Sequence, residues 1–302
     1  MLKIAFSPIY KYQLPKNHRF PMEKYELIPA QLLHQGIVHE EQFFEPEPLD
    51  EKWILRTHSS DYWNSLKELT ISPKAARKVG FPIQKTLVER GRVIAQGTID
   101  CALFALKHGV SMNVAGGTHH SFEDKGEGFC LLNDFAIASN YLLDNQIVQQ
   151  ILIIDLDVHQ GNGTAKIFEE DSRVFTFSMH GAKNYPLHKE TSNLDVPLPD
   201  KIEDQAYLEL VHQYIPHLIE TVEPDLIFYL SGVDVLDSDK LGRLSLSLEG
   251  CQERDRLVFQ YCKQYQVPVA VSMGGGYSPQ LARIVDAHTN TFKMAQEVFF
   301  EE

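Results

Sequence analysis

The sequence predicts an α/β fold built on a parallel sheet, and three observations carry that prediction. Short apolar runs rich in β-branched residues alternate with longer segments of helical character. In the run from Ile151 to Ile154 apolar residues follow one another without polar interruption, as in a strand covered on both faces. Glycines, histidines and acids collect just after the runs, where open parallel sheets bind their ligands.

In chain order, strands are expected over Lys3 to Phe6, Ser111 to Ala115, Ile151 to Asp157, Val174 to Ser178, Leu226 to Ser231 and Val267 to Ser272. Helices are expected over Gln84 to Lys107, Asp134 to Asp144, Asp204 to Thr221, Glu249 to Gln264 and Pro279 to Val298. Such alternation implies crossover connections between parallel strands. No low-complexity tract, internal repeat or linker interrupts the chain, and the Pro- and Glu-rich patch from Glu45 to Asp50 reads as a surface loop. One domain is therefore expected over residues 1–302.

With 302 residues and 43% hydrophobic content, the chain can bury a substantial core. A formal charge of -13 argues against direct binding to nucleic-acid backbones, which need clustered Lys and Arg. Cys101, Cys130, Cys251 and Cys262 show no CxxC spacing, so reduced thiols and a reducing compartment are expected. The N-terminal apolar run is short for a signal peptide, and no stretch reaches the roughly 20 apolar residues of a membrane helix. A cytoplasmic protein is expected, or a nuclear one if the source is eukaryotic.

The strand-end loops carry the chemistry. GGTHH follows Val114, DLDVHQGNG follows Ile154, SMHGAKNYP follows Phe177, SGVDVLDSDKLG follows Leu230 and MGGGYSP follows Val271. Asp155, Asp157 and His159 recur at every second position, which on a strand puts all three on one face. An isolated Asp-x-His would read as a cap and a satisfied turn histidine, but Asp234 at another strand end supplies a third ligand. Two carboxylates and one imidazole leave positions open for water and substrate, as catalytic metal sites do. Zn²⁺ suits this mixed oxygen and nitrogen set, with Fe²⁺ and Mn²⁺ as alternatives.

His119 and His120 follow a Gly-Gly turn beside this site, and an imidazole there can take a proton from water and return it to a leaving amine. Each needs an acceptor on its far nitrogen, and Asp155 and Asn162 can supply these. Tyr277 follows Gly274, Gly275 and Gly276, and its phenol can donate to a developing oxyanion.

Together GGTHH, GEGFCLLND, DLDVHQGNGT, SGVDVLDSDKLGRLS and GGGY resemble the zinc-dependent histone deacetylase superfamily, which also holds acetylpolyamine deacetylases and acetoin-utilisation proteins. The resemblance runs in order from about Ala115 to Tyr277, while HRFPMEKY and SMHGAKNYP look like the class IV branch and its bacterial relatives. It implies a three-layer arginase/deacetylase-like fold with a central, mostly parallel, eight-stranded sheet flanked by helices. It implies that Asp157, His159 and Asp234 hold Zn²⁺, that His119 and His120 are the tandem histidines with His120 as general base and acid, and that Tyr277 polarises the substrate carbonyl. Asp155 and Asn162 become the histidines' partners, while Gly128, Phe129 and Gly275 line a narrow acyl-lysine tunnel.

The resemblance also implies structural K⁺ at Asp155 and Ser178 with carbonyls of Asp157, His159 and Met179, and a second K⁺ at Phe168, Asp171 and Val174. Three departures stand out. Asn162 occupies a position that class I members fill with aspartate, Thr118 stands where a bulky apolar residue is common, and no rim aspartate precedes Gln84. The implied activity is metal-dependent hydrolysis of acetyl or longer acyl groups from the lysines of a peptide or protein. Deacetylation of acetylpolyamines or other small acylamines, a dinuclear Mn ureohydrolase and an inactive binding protein are the alternatives.

Overall fold

The computed structural model describes residues 1–301. Eight strands form one sheet: β1 (Lys3–Ala5), β2 (Phe43–Phe44), β3 (Val110–Asn113), β4 (Ile151–Asp155), β5 (Val174–Gly181), β6 (Leu194–Leu198), β7 (Leu226–Leu230) and β8 (Val269–Ser272). The helices are α1 (Lys24–His34), α2 (Glu51–Leu55), α3 (Ser60–Lys67), α4 (Pro73–Val79), α5 (Lys85–His108), α6 (Asp134–Asp144), α7 (Asn162–Ile167), α8 (Asp204–Val222), α9 (Leu248–Gln264) and α10 (Leu281–Phe300).

The strand order is β2-β1-β3-β8-β7-β4-β5-β6, with every neighbouring pair parallel. The chain lays down β3 and β4 first and later inserts β7 and β8 between them. This insertion sets the carboxyl ends of β3, β8, β7 and β4 side by side, and the glycine-, histidine- and aspartate-bearing loops emerge from those four ends.

Consecutive residues of β7 show how the layers hold together. Strand side chains alternate between faces, so Phe228 meets Phe135 of α6 on one side (ring centroids 4.9 Å apart) while Tyr229 meets Phe259 of α9 on the other (6.0 Å). All four rings are buried. Truncating either strand ring to alanine would cost about 3–5 kcal/mol, because both faces of β7 are packed.

The expected helices α5, α6, α8, α9 and α10 fall within two residues of their sequence limits. Two edge strands were not legible. β2 is only two residues long, and β6 reads LDVPL, whose proline and aspartate suit an exposed edge where a ladder N–H can be spared. The stretch from Glu45 to Asp50 is a loop into α2, ending with the Asp50 carboxylate accepting from Lys52 N at 2.9 Å as a helix cap.

One expectation is corrected. β4 stops at Asp155, so Asp157 and His159 lie on the loop beyond it and the pleat does not align the three. Two consecutive aspartate turns do this instead. Asp157 N donates to Asp155 Oδ1 at 3.1 Å and His159 N donates to Asp157 Oδ1 at 2.9 Å, so each carboxylate folds the backbone two residues ahead of it.

Candidate metal and catalytic site

The loop after β3 bends through two left-handed glycines, Gly116 (φ +88°) and Gly117 (φ +71°). A Cβ on Gly117 would lie 2.0 Å from the Leu230 side chain, so only glycine fits. The bend is fixed by buried Asp134 at the start of α6, which accepts from Gly117 N at 3.1 Å, Thr118 N at 2.8 Å and the Thr118 hydroxyl at 2.6 Å. Thr118 thus has a polar role in holding the loop.

His119 and His120 then enter the site. Nδ1 of His119 lies 2.7 Å from Asp155 Oδ2, and Nδ1 of His120 lies 2.7 Å from Asn162 Oδ1. Both partners are oxygens that can only accept, so each imidazole carries its proton on Nδ1 and turns Nε2 toward the cleft. Burial would hold His119 down, but the Asp155 carboxylate outweighs it and raises the pKa above its ordinary value. His120 has only the neutral amide. Burial, with His119 and His159 nearby, holds it well below the usual histidine value.

Asp157, His159 and Asp234 come together from the β4 and β7 loops, their ligand atoms all within 4.8 Å of one another. They are 2%, 8% and 0% exposed, so whatever neutralises the carboxylates must also be buried. His159 Nδ1 is 3.0 Å from Asp157 Oδ1 and 3.1 Å from Asp234 Oδ2. Burial alone would lower His159, yet the two carboxylates overcome it and push the imidazole up to about 10. Burial and the like charge of Asp157 push Asp234 up to about 7. Asp234 Oδ2 is buried, and its one polar neighbour, His159 Nδ1 at 3.1 Å, is not aligned for a hydrogen bond. Two desolvated carboxylates converging on one imidazole, one of them with an oxygen that takes no aligned hydrogen bond, fit a divalent cation.

The third side is the loop after β8. Gly275 N donates to Asp157 Oδ2 at 2.8 Å, and a Cβ there would lie 2.0 Å from Asp234 Oδ2. The expected tunnel glycine therefore packs directly on the Asp157 and Asp234 carboxylates. Two residues on, Tyr277 N donates to Asp239 Oδ2 at 2.6 Å, while Asp239 Oδ1 accepts from Leu241 N and Gly242 N, both at 2.8 Å. Burial, then Asp234 and Asp157, push the Tyr277 phenol well above its ordinary pKa, so it stays a donor. Beneath this loop, fully buried Lys24 donates to Gly274 O at 2.9 Å. Burial lowers Lys24 to about 8 even though Asp234 and Asp157 work against it.

An inner cavity and an outer cleft share His120, Gly128, Phe129, His159 and Tyr277, so they join at these five residues. Gly128 has φ +58° and touches His120, since a Cβ there would lie 2.5 Å from His120 Cδ2. Phe129 faces Tyr277 at 5.9 Å, and Tyr185 stands edge-on to His120 at 4.9 Å. Arg19, Lys78 and Glu127 line the outer cleft.

The residues expected at monovalent cations lie nearby. Asp155 pairs in register with Ser178 across β4 and β5, and the Ser178 hydroxyl is 3.0 Å from His180 Nδ1. Phe168, Asp171 and Val174 form the turn from α7 into β5, closed by Asp171 N to Phe168 O and Val174 N to Asp171 O, each 3.1 Å. Sequence reasoning missed Lys24, Asp134, Tyr185 and Asp239. Lys24 and Asp134 sit inside HRFPMEKY and GEGFCLLND, so their motifs were visible although their contacts were not.

The histone deacetylase domain family matches residues 18–292. An uncharacterized protein of Picosynechococcus sp. is 41% identical over 98% of this chain and 99% of its own length. Histone deacetylase 2 of Arabidopsis thaliana is 28% identical over 94% of this chain and 76% of its own. A crystal structure of an HDAC homolog complexed with SAHA superposes with a TM-score of 0.85 at 25% identity, covering 98% of this chain and 84% of the other. A crystal structure of an HDAC homolog from Aquifex aeolicus gives 0.83 at 24% identity, over 97% and 84%.

Proposed function

Because this chain belongs to the histone deacetylase family, we propose that it hydrolyses the amide bond of an N-acylated lysine side chain, with Asp157, His159 and Asp234 holding a divalent metal ion, Zn²⁺ in the first instance. That ion would supply Lewis acidity, acidifying water and polarising the acyl carbonyl. The chain's own residues then do the following. His120 Nε2 takes a proton from the attacking water as oxygen bonds to the carbonyl carbon. Tyr277 donates its phenol hydrogen bond to the oxyanion that forms. His120 returns the proton to the amine nitrogen as the C–N bond breaks, leaving a carboxylic acid and a neutral amine, and transfer of the acid's proton to the amine gives a carboxylate and an ammonium ion. His119, raised in pKa beside Asp155, supplies positive character next to His120, their ring centroids 4.1 Å apart, and Phe129 and Tyr185 hold the lysine stem between aromatic side chains.

One observation carries this reading: Asp157 and His159, which converge with buried Asp234, line the same cavity as His120 and Tyr277. A two-metal ureohydrolase needs more ligands, and among the described residues this is the one group of three or more His, Cys, Asp or Glu side chains close enough to hold an ion. Arg19 and Lys78 at the outer cleft, against Glu127 alone, favour a peptide over a polycationic amine. We also propose K⁺ at Asp155, Ser178 and the carbonyls of Asp157, His159 and Met179, with a second ion at Phe168, Asp171 and Val174. Assays on acetyl- and longer acyl-lysine peptides beside N-acetylated polyamines test the reading. Turnover of a peptide substrate is expected, and turnover of polyamines alone would overturn the lysine assignment.

A further inference from the structure

Arg254 and Asp255 in α9 are both 0% exposed, a complete ion pair inside the protein. Pairs like this stabilise little, because desolvation offsets the attraction, so what the guanidinium touches beyond its partner matters more. Asp255 is held on the far side by Tyr229 Oη of β7 at 2.5 Å and Thr291 Oγ1 of α10 at 2.7 Å. Arg254 Nε donates to Asp255 Oδ1 at 2.9 Å. The remaining donors reach three backbone carbonyls. Nη1 donates to Gly232 O at 2.7 Å and Leu156 O at 3.3 Å, and Nη2 to Ser231 O at 3.4 Å.

Those carbonyls flank the metal-ligand residues. Leu156 immediately precedes Asp157, while Ser231 and Gly232 lead into Asp234. They lie where the β4–β7 ladder ends, its last bond running from Leu156 N to Leu230 O at 3.2 Å. Past that bond the two strands leave the sheet as separate loops, joined on the site side by Val158 N donating to Asp234 Oδ1 at 3.0 Å and on the α9 side by the guanidinium. Gly232 also presses on the site, since a Cβ there would lie 2.3 Å from Asp157 Oδ2. A shift of its carbonyl would move the ligand carboxylate.

We infer that Arg254 is a positioning residue of the metal site: from behind the sheet, its guanidinium fixes the separation between the Asp157 loop and the Asp234 loop. The planar fork is required, because three carbonyls and a carboxylate around one cation match guanidinium geometry and exceed what an ammonium can meet. This rests on the metal site proposed above.

Arg254→Lys tests it, keeping the charge and the pair with Asp255 while losing the fork. The dissociation constant for Zn²⁺ is read by chelator competition and the ligand geometry by the visible spectrum of the Co²⁺-loaded protein. The expected result is a folded variant that binds Zn²⁺ about 10- to 100-fold more weakly, the range for residues that orient metal ligands, with altered Co²⁺ bands. Leu218→Ala in α8, buried away from the site, should lower the melting temperature and leave both readouts unchanged. If Arg254→Lys does not fold, the double variant Arg254→Met, Asp255→Leu replaces the pair by apolar side chains and is expected to fold with the same loss of affinity. Wild-type affinity and spectrum in a folded Arg254 variant, or an equal loss in Leu218→Ala, would overturn the inference. Failure of the wild-type protein to take up metal would overturn the site reading, and this inference with it.

Discussion

Replacing Asn162 by aspartate perturbs the proposed general base through a single atom. Asn162 Oδ1 is 2.7 Å from His120 Nδ1, with the two residues 3% and 4% exposed. Burial, His119 and His159 hold His120 well below its ordinary pKa near 6.5, and the neutral amide does little to oppose them. A carboxylate would change that balance. Unit charges about 4 Å apart at an effective dielectric of about 20 attract by about 4 kcal/mol, which at about 1.4 kcal/mol per unit is about three pKa units. Desolvation of the new carboxylate subtracts from this, leaving a rise of about one to three units. The sign follows from the chemistry: His120 must be neutral to take a proton, so a higher pKa moves the acid limb of kcat/KM to higher pH. In the wild type that limb should lie below pH 6.5. Profiles of kcat/KM from pH 5 to 9 on an acyl-lysine peptide, at fixed ionic strength and saturating metal, measure the shift. An acid limb that stays in place, or moves to lower pH, would refute the assignment of His120 as base.

Two further substitutions probe the other walls of the site. Tyr277→Phe keeps the Tyr277 N to Asp239 bond and the ring contact with Phe129, so melting temperature and KM should hold while kcat falls about 10²- to 10³-fold. A raised KM with unchanged kcat would assign Tyr277 to binding instead. Gly275→Ala would place a methyl group 2.0 Å from Asp234 Oδ2. The purified variant should lose at least about tenfold in metal affinity, measured by chelator competition, and wild-type affinity would show that Asp234 does not need its present position.

The parts of the molecule that sequence makes legible are those governed by local chemistry. Ile151 to Ile154 read as a buried strand because all four are apolar, and they are central in the sheet. The tandem histidines, Asp157, His159, Asp234 and Tyr277 each follow a strand, and parallel topology carries strand ends to one edge. Parity along the chain misleads at Asp157 and His159, where aspartate turns take over from the pleat. Lys24, Asp134 and Asp239 act through backbone atoms distant in sequence, Lys24 on Gly274 and Asp239 on Tyr277, so no spacing rule marks them. The edge strands β2 and β6 escape for the opposite reason, since they bury too little to show an apolar pattern.

The central claim is that one metal ion at Asp157, His159 and Asp234 drives amide hydrolysis. It is tested most directly by titrating metal-free protein with Zn²⁺ while following amine release from an acetyl- or longer acyl-lysine peptide. Activity should start near zero, rise linearly and level off at one ion per chain, and Asp234→Asn should stay inactive throughout. Full activity without added metal, or a plateau at two ions per chain, would contradict the account.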